Sequence, residues 1–566
     1  MARFNEPTKR AESATSPVTT EATSSGTTFE GGPGYSRDAE SELFMLAVSN
    51  MVGQNTFYEG KDERDKRFAA LAHVVAVRNP EWMARFLPYL RGTANLRTAP
   101  LVAAAESAYA MLDVGIPGSR GMIESVLQRA DEPGELLAYW SGKYGRNLPM
   151  PVKKGVAEAA TRLYDEYAYM KWDSSARGFR FADVLELTHP SPRAPEDLFD
   201  RWSADRLEEM SQADREEYAA LYEVRKSALF ELMLDERHGR GNGVPDVLPK
   251  LQANRFLREA AKDDPRVLLD AERLKAAGMT WEDVLSMAGD KLPKRDLWEA
   301  IIPSMGYMAH VRNIRNFDEA GVSDEVADQV AAVIADPERV RKSRQLPFRF
   351  LSAHLATSSL RWGRALERAL DVSVENVPVL PGRTLILSDT SGSMIMSTLS
   401  ERSKVKPAEA AALFATALAF RCGRDNVDFH GFADSTFYHD IPAGGSVLRE
   451  LERFLRRIGE AGHGTDIAGA VSSTYKAHDR VVVFSDMQTM DPDGRFDPWF
   501  HYTGRTSEVK DSVPDDVPVY GWNLMGYEHA AMPTGSRARH ELGGFSDSMF
   551  KLLPLLEAGR RADWPF

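Results

Sequence analysis

The stretch LILSDTSGSMIMS, Leu385 to Ser397, decides how the second half of the chain folds. An apolar run stops at Asp389, and Ser391 and Ser393 follow at alternate positions around Gly392. The run reads as a buried strand. The oxygen-bearing residues after it do nothing for a core. A carboxylate followed by alternate hydroxyls suits a hard cation, and Gly392 lets the backbone turn tightly enough for them to converge. The blander reading is a turn rich in small polar residues.

Working outward, strands alternate with helices from about Val377. RTLILSD, NVDFHGFAD, RVVVFSD and VPVYGWNL read as strands. PAEAAALFATALAFRC, SVLRELERFLRRIG, DIAGAVSSTYKAH and SDSMFKLLPLLEA read as helices, with Pro407 in the first turn of one and Ser546 an N-cap of the last. This predicts a doubly wound, mostly parallel sheet whose ligand site lies beyond the carboxyl ends of the strands. Three segments reach that edge: Asp389, Ser391 and Ser393; Thr465 in the loop GHGTD; and Asp486 after VVVFS. Few carboxylates and several hydroxyls suit one octahedral Mg²⁺ or Mn²⁺ with a position open to an outside carboxylate or phosphate. An aspartyl-phosphate mechanism is disfavoured, because Ser391 stands where such sites carry a second aspartate. His463 is a possible general base, but glycines flank it and no orienting partner is evident, so no enzyme activity is expected.

From about Glu40 to Leu370 the pattern is helix after helix. DERDKRFAALAHVVAV has apolar residues at three-and-four spacing, RNP breaks it, and Pro80 starts PEWMARFLPYLR. Short helices with short breaks suggest stacked antiparallel pairs, or else an irregular helical domain. Residues 1–35 are rich in Ser, Thr, Gly and Pro and read as a disordered tail. The expected organisation is therefore this tail, a helical domain over 36–375 and the α/β domain over 376–566.

A chain of 566 residues exceeds one core. The single cysteine, Cys422, excludes an intrachain disulfide and any cysteine-rich zinc site. No apolar run is long enough to span a bilayer. These features point to the cytoplasm, with no membrane partner. The formal net charge of −13 argues against indiscriminate nucleic-acid binding, so any such site must be a local basic surface. Candidates are Lys143, Arg146, Lys153 and Lys154; Arg312 and Arg315 in HVRNIRN, a stretch without a counter-charge; and Arg344 and Arg349 in RVRKSRQLPFRF. Tyr144, Phe348 and Phe350 could stack bases or pack a core. Each cluster alone reads equally as a solvated helix face.

The set Asp389, Ser391, Ser393, Thr465, Asp486 resembles the metal-ion-dependent adhesion site of von Willebrand factor A domains. In that family the serines and threonine ligate the metal, and the aspartates act directly or through water. Helices followed by such a domain resemble the Ro autoantigen family, with its TROVE domain. NTFYEG, NLRTAPLVAAAESA, FADVLELTHPSPR, WEAIIPSMGYMAHVRNIRNFDEAGV and RQLPFRFLSA carry the resemblance in order. It implies an all-α, HEAT-like helical-repeat ring plus an α/β, Rossmann-like von Willebrand A domain. It further implies a cytoplasmic, monomeric RNA-binding protein. Partners would be small noncoding (Y-like) RNA, single-stranded ends of misfolded or processed RNA and an exoribonuclease. Arg97, Lys171, Arg177 and His189 join the RNA-binding candidates on this ground, His189 equally as a helix-terminal packing residue. Asp173 and Glu186 make the stretch around Lys171 less basic than is usual for the family. The alternative is a protein-interaction adaptor whose metal grips a partner's carboxylate, the helices serving as scaffold.

Overall fold

Apolar residues every third or fourth position give helices through most of the first two-thirds of the chain, and alternation of strand and helix takes over at Thr384. The structure is a computed structural model. From residue 16 to residue 566 it describes all but 50–52, 175–177, 196–197, 201–209, 242, 358, 376, 400–404, 443–444, 491–507, 536–537, 546 and 558–562. Two units form by packing. One gathers the described residues up to Arg78, residues 92–99 and residues 334–566; the other gathers residues 79–91 and 100–333.

The second unit is helical. Pro80–Arg91 packs on Ser119–Val126, which packs on Met150–Leu163, then Phe181–Thr188, then Gln212–Arg237. From Pro80–Arg91 to Phe181–Thr188 each helix meets the next but one, the neighbour relation of stacked helical hairpins. Polar residues set the boundaries: Asp165, Ser211 and Thr280 accept backbone N–H groups of the first turns that follow them. Lys226 is an exception to the rule that ammonium groups stay wet. It is 5% exposed, and its Nζ donates to the Tyr164 carbonyl.

The first unit holds the sheets. Its strands are β1 (Gly26–Thr27), β2 (Pro33–Ser36), β3 (Thr384–Asp389), β4 (Val427–Phe432), β5 (Thr436–Tyr438), β6 (Arg480–Ser485), β7 (Val519–Asn523), β8 (His529–Ala530) and β9 (Arg539–Gly543). The main sheet runs β5-β4-β3-β6-β7-β9, parallel except for β5 against β4. Leu385, Leu387, Val481 and Val483 pack with Ile467 and Val471 on one face. Ile386 and Val482, which alternate to the other face, are equally buried, as a parallel sheet covered on both sides requires. The chain leaves β3 for β4 on one side and reaches β6 on the other. The strand order thus reverses at the β3/β6 boundary, where such folds bind ligands.

Several expectations change. The segment read as a disordered tail is built into the first unit from Ser16 onward. β1, β2 and β8 form an antiparallel sheet, and Arg37, 7% exposed, makes a bidentate pair with Glu541 of β9 at 2.6 and 2.7 Å. Residues 36–78 and 334–375, assigned by sequence to the helical domain, pack in the unit that holds the sheet. β9 was not predicted, because RHELG carries charge in alternate and adjacent positions. All five residues are nevertheless buried, since Arg539 donates to the carbonyls of Lys510, Val513 and Val517 and Glu541 takes Arg37. Ser546 lies outside the described residues.

Burial lowers the Lys226 pKa to about 8. The unfolded value is near 10.4, so the folded chain binds fewer protons between about 8 and 10.4. Stability therefore climbs with pH across that window, and the penalty is complete below it. Lys226→Met is expected to raise the melting temperature by a few degrees at pH 7, with the gain shrinking at pH 10. Thermal unfolding of both proteins at the two pH values checks this.

Candidate metal centre and basic surfaces

Asp389 closes β3 and Asp486 follows β6, on adjacent parallel strands. Both are fully buried. Asp389 Oδ1 accepts the Ser391 N–H at 2.8 Å, and Oδ2 accepts the Ser485 hydroxyl at 2.5 Å. Asp486 Oδ1 accepts the Gln488 N–H at 3.1 Å, while its buried Oδ2 has no hydrogen-bond partner. The Ser391 and Ser393 hydroxyls lie 3.3 Å apart. Ser391 caps the short helix Gly392–Met396, which turns the chain back over the strand end.

The loop carrying Thr465 is drawn to the same place. Gly392 N–H donates to the His463 carbonyl at 2.7 Å, and the Thr465 carbonyl accepts Met490 N–H at 2.9 Å. Asp434, just past β4, accepts the N–H groups of His463 and Gly464 at 2.8 and 3.0 Å. Glycine is needed at 464 because a Cβ there would strike the Asp434 carboxylate. The loop expected to lack an orienting partner is thus clamped along its backbone. The His463 side chain itself is exposed. Asp434 and Ser485 were missed in the sequence. Their signal was position: each sits within two residues of a strand's carboxyl end.

Burial raises the pKa of both aspartates, and the charge of Asp389 pushes Asp486 further. Two buried carboxylates, one oxygen of them orphaned, stand beside the serine hydroxyls, and no cationic side chain among the described residues bonds either. That donor set fits a hard divalent ion, and Asp389, Ser391, Ser393, Thr465 and Asp486 could hold one. Among the described residues no three His, Cys, Asp or Glu side chains gather as a metal group, so hydroxyls must supply much of the coordination.

The basic candidates separate by unit. In the helical unit, Lys143 is committed to the buried Glu106 at 2.7 Å, which also accepts the hydroxyls of Tyr139 and Tyr144. Tyr144 stacks on Tyr109 at 3.9 Å. Arg146 and Lys154 are exposed and Lys153 is half-buried. Lys171 is exposed, with its Nζ 4.9 Å from the Trp172 ring centroid. His189 is an exposed helix C-cap with φ 51°, which discards the packing alternative for its ring. Arg312 and Arg315 are exposed on Tyr307–Ala320, whose other face buries His310, Val311, Ile314 and Phe317. Arg315 does have a counter-charge, Glu319 one turn on at 3.3 Å, an exposed pair of little strength. Arg177 lies outside the described residues.

In the sheet-bearing unit, turns 249 residues apart meet: the Asn95 amide donates to the Arg344 carbonyl at 2.6 Å, and the Arg344 guanidinium donates to the Gly92 carbonyl at 3.3 Å. Asn95 and Arg344 both adopt left-handed backbone, at φ 52° and 50°. They line a cavity of about 390 Å³ with Arg341, Glu375 and Lys551. Arg97 is half-buried in the first of these turns. Arg349 is exposed, 5.1 Å from the Phe348 ring centroid. Phe348 and Phe350 are 2% and 1% exposed, so both are core residues and neither can stack a base.

Asp389→Ala is expected to abolish Mg²⁺ and Mn²⁺ binding while leaving the helical unit folded, since every ligand lies in the other unit. Calorimetric titration with circular dichroism checks this; equal affinity in both proteins would contradict it.

Comparison with known proteins adds three findings. Residues 269–369 match the family model of the TROVE domain. A stretch of 77 residues is 38% identical to Telomerase protein component 1 of Mus musculus and 36% identical to that of Rattus norvegicus. That stretch is 13% of this chain and 3% of each relative's length. The crystal structure of the Ro (Rsr) protein of Deinococcus radiodurans superposes over 92% of this chain and 100% of its own, with a TM-score of 0.56. At 16% identity this last likeness is one of fold. The resemblance to the Ro family read from the sequence therefore holds: the chain carries a segment that matches the TROVE domain on the fold of a Ro protein.

Proposed function

We propose that this chain is a non-enzymatic RNA-binding protein of the Ro type. It binds small noncoding, Y-like RNA and the single-stranded ends of misfolded or processed RNA, and acts in cytoplasmic RNA quality control. In this reading it works as a monomer and passes RNA to an exoribonuclease. One observation carries it. The TROVE match over residues 269–369 contains the helix Tyr307–Ala320, and on that helix the residues facing solvent include Arg312 and Arg315. In a chain of net charge −13, an exposed cationic pair on a helix of the matched segment is where phosphate would be met. Arg312 has no ion pair with a described residue, and the Arg315–Glu319 pair is weak enough for phosphate to compete with.

The von Willebrand A-like half supplies a separate function in the same proposal. Ser391, Ser393 and Thr465 hold one Mg²⁺ or Mn²⁺ through their hydroxyls, and Asp389 and Asp486 do so directly or through water. The ion when bound supplies an electrostatic grip on an outside carboxylate. The Asp434 clamp holds the threonine loop in place without substrate, and Ser485 orients Asp389. These are features of a binding site. The donor set serves one metal, whereas two-metal hydrolysis requires a second acidic cluster.

RNA with a free single-stranded end is expected to bind more tightly than blunt duplex, with affinity falling steeply as salt rises. The double variant Arg312→Gln, Arg315→Gln is expected to bind about tenfold more weakly and to flatten the log–log salt slope by about 1.4, for two single-strand phosphate contacts. Fluorescence anisotropy across a salt series checks this, with the melting temperature as a fold control. The same RNA, incubated with Mg²⁺ or Mn²⁺, is expected to stay intact. Cleavage by the wild type that Asp389→Ala and His463→Ala both lose would replace the binding reading with a hydrolase.

A further inference from the structure

The helix Thr98–Asp113 buries every residue from Ala99 to Met111 except one. The exception is Tyr109, 40% exposed, an aromatic ring at a surface position where an amphipathic helix carries polar or charged groups. The ring is held in place. It stacks on Tyr144, the last residue of the helix Glu132–Tyr144, with centroids 3.9 Å apart and planes 7° from parallel. Trp140, 2% exposed, meets both rings, Tyr109 edge-on at 6.3 Å and Tyr144 at 5.1 Å.

A buried carboxylate anchors the inner ring of the pair. Glu106, one turn before Tyr109 and fully buried, accepts the hydroxyls of Tyr139 and Tyr144, the latter at 2.7 Å. Lys143 Nζ neutralises that carboxylate at 2.7 Å and stands 5.5 Å from the Tyr144 ring centroid. Glu106 thus fixes Tyr144, and Tyr144 fixes Tyr109. A ring set in advance in this way gives up little conformational freedom when a flat group covers it. Lys143 is committed to Glu106, but Arg146, two residues past Tyr144 in the chain, is exposed. An accessible aromatic ring followed by a cation suits an unpaired nucleobase and the phosphate attached to it, because every base has a face that stacks.

We propose that Tyr109, backed by Tyr144, is a stacking platform for one unpaired base of single-stranded RNA, with Arg146 meeting a neighbouring phosphate. This rests on the RNA-binding reading above. It adds a contact to the bases rather than to the backbone, and it places that contact outside the segment that matches the TROVE domain. Glu106 and Lys143 are positioning residues for the platform.

The probes are a short labelled oligoadenylate and an abasic oligoribonucleotide of the same length, which keeps the phosphates and lacks the bases. Both are titrated with the full chain by fluorescence anisotropy. Tyr109→Ala is expected to bind oligoadenylate about tenfold more weakly, as loss of one base stack does, and to bind the abasic chain as wild type does. Its salt slope should keep the wild-type value, whereas Arg146→Gln should flatten the slope by about 0.7, for one single-strand phosphate contact. Tyr109→Phe keeps the ring face and should bind as wild type does. Photocrosslinking of wild type to oligouridylate carrying 5-iodouridine, read by mass spectrometry, should mark Tyr109, and it decides the matter if Tyr109→Ala lowers the melting temperature. Wild-type affinity for oligoadenylate in Tyr109→Ala, an equal loss on the abasic chain, or crosslinks that avoid Tyr109 would overturn the platform while leaving RNA binding elsewhere intact. No binding of either probe by wild type would overturn both readings.

Discussion

Two like charges buried at neighbouring strand ends are the constraint around which the sheet-bearing unit is arranged. Adjacent parallel strands lie about 4.8 Å apart, so carboxylates at the ends of β3 and β6 cannot avoid one another. Water is excluded from both. The fold answers with local donors: the Ser391 and Gln488 amides and the Ser485 hydroxyl. These satisfy three of the four carboxylate oxygens at most, and Asp486 Oδ2 remains without a bond. Such an arrangement is costly unless a cation is part of the design, and this is the physical case for a metal. The Asp434 clamp on the GHGTD loop and the helical turn at Gly392 lie at the same edge, joined by the Gly392 N–H bond to the His463 carbonyl.

A buried ion pair explains why the N-terminal segment is part of this unit. Arg37 is fully committed: two bonds to Glu541 and one each to the carbonyls of Tyr527 and Glu528. Glu541 in turn takes the Asn523 amide of β7. A buried guanidinium with every partner in place can be tolerated where a lone one could not. The pair pins the chain at residue 37, β2 runs back along β8, and the turn before β2 bonds Gln488 and Thr489. The attachment of this segment is thus a consequence of one buried contact and one short sheet.

The elements legible in the sequence were those with apolar periodicity. Buried parallel strands such as TLILSD and RVVVFS announce themselves, and so does the oxygen-rich turn after the first of them. The five candidate ligands were legible for the same reason, each lying at the end or in the loop of a recognisable element. What was not legible depends on long-range polar pairing. β9 is charged and yet buried because Arg37 lies 504 residues away in the chain. The Ser/Thr/Gly-rich stretch from Ser16 looks disordered because its order comes from hydrogen bonds to Gln488 and Thr489, which composition does not record. Likewise Lys143 reads as a phosphate contact until Glu106 is found beneath it.

The account assigns RNA to the helical, TROVE-matching part of the chain and the metal to the sheet edge. Ultraviolet crosslinking of the purified protein to RNA with a free single-stranded end, followed by mass spectrometry of the crosslinked peptides, tests that division most directly. The account predicts crosslinks in peptides from the matched segment, residues 307–320 among them, and none at Asp389–Ser393 or Thr465–Asp466. Crosslinks confined to the sheet edge, or no crosslink to the matched segment at saturating RNA, would contradict it.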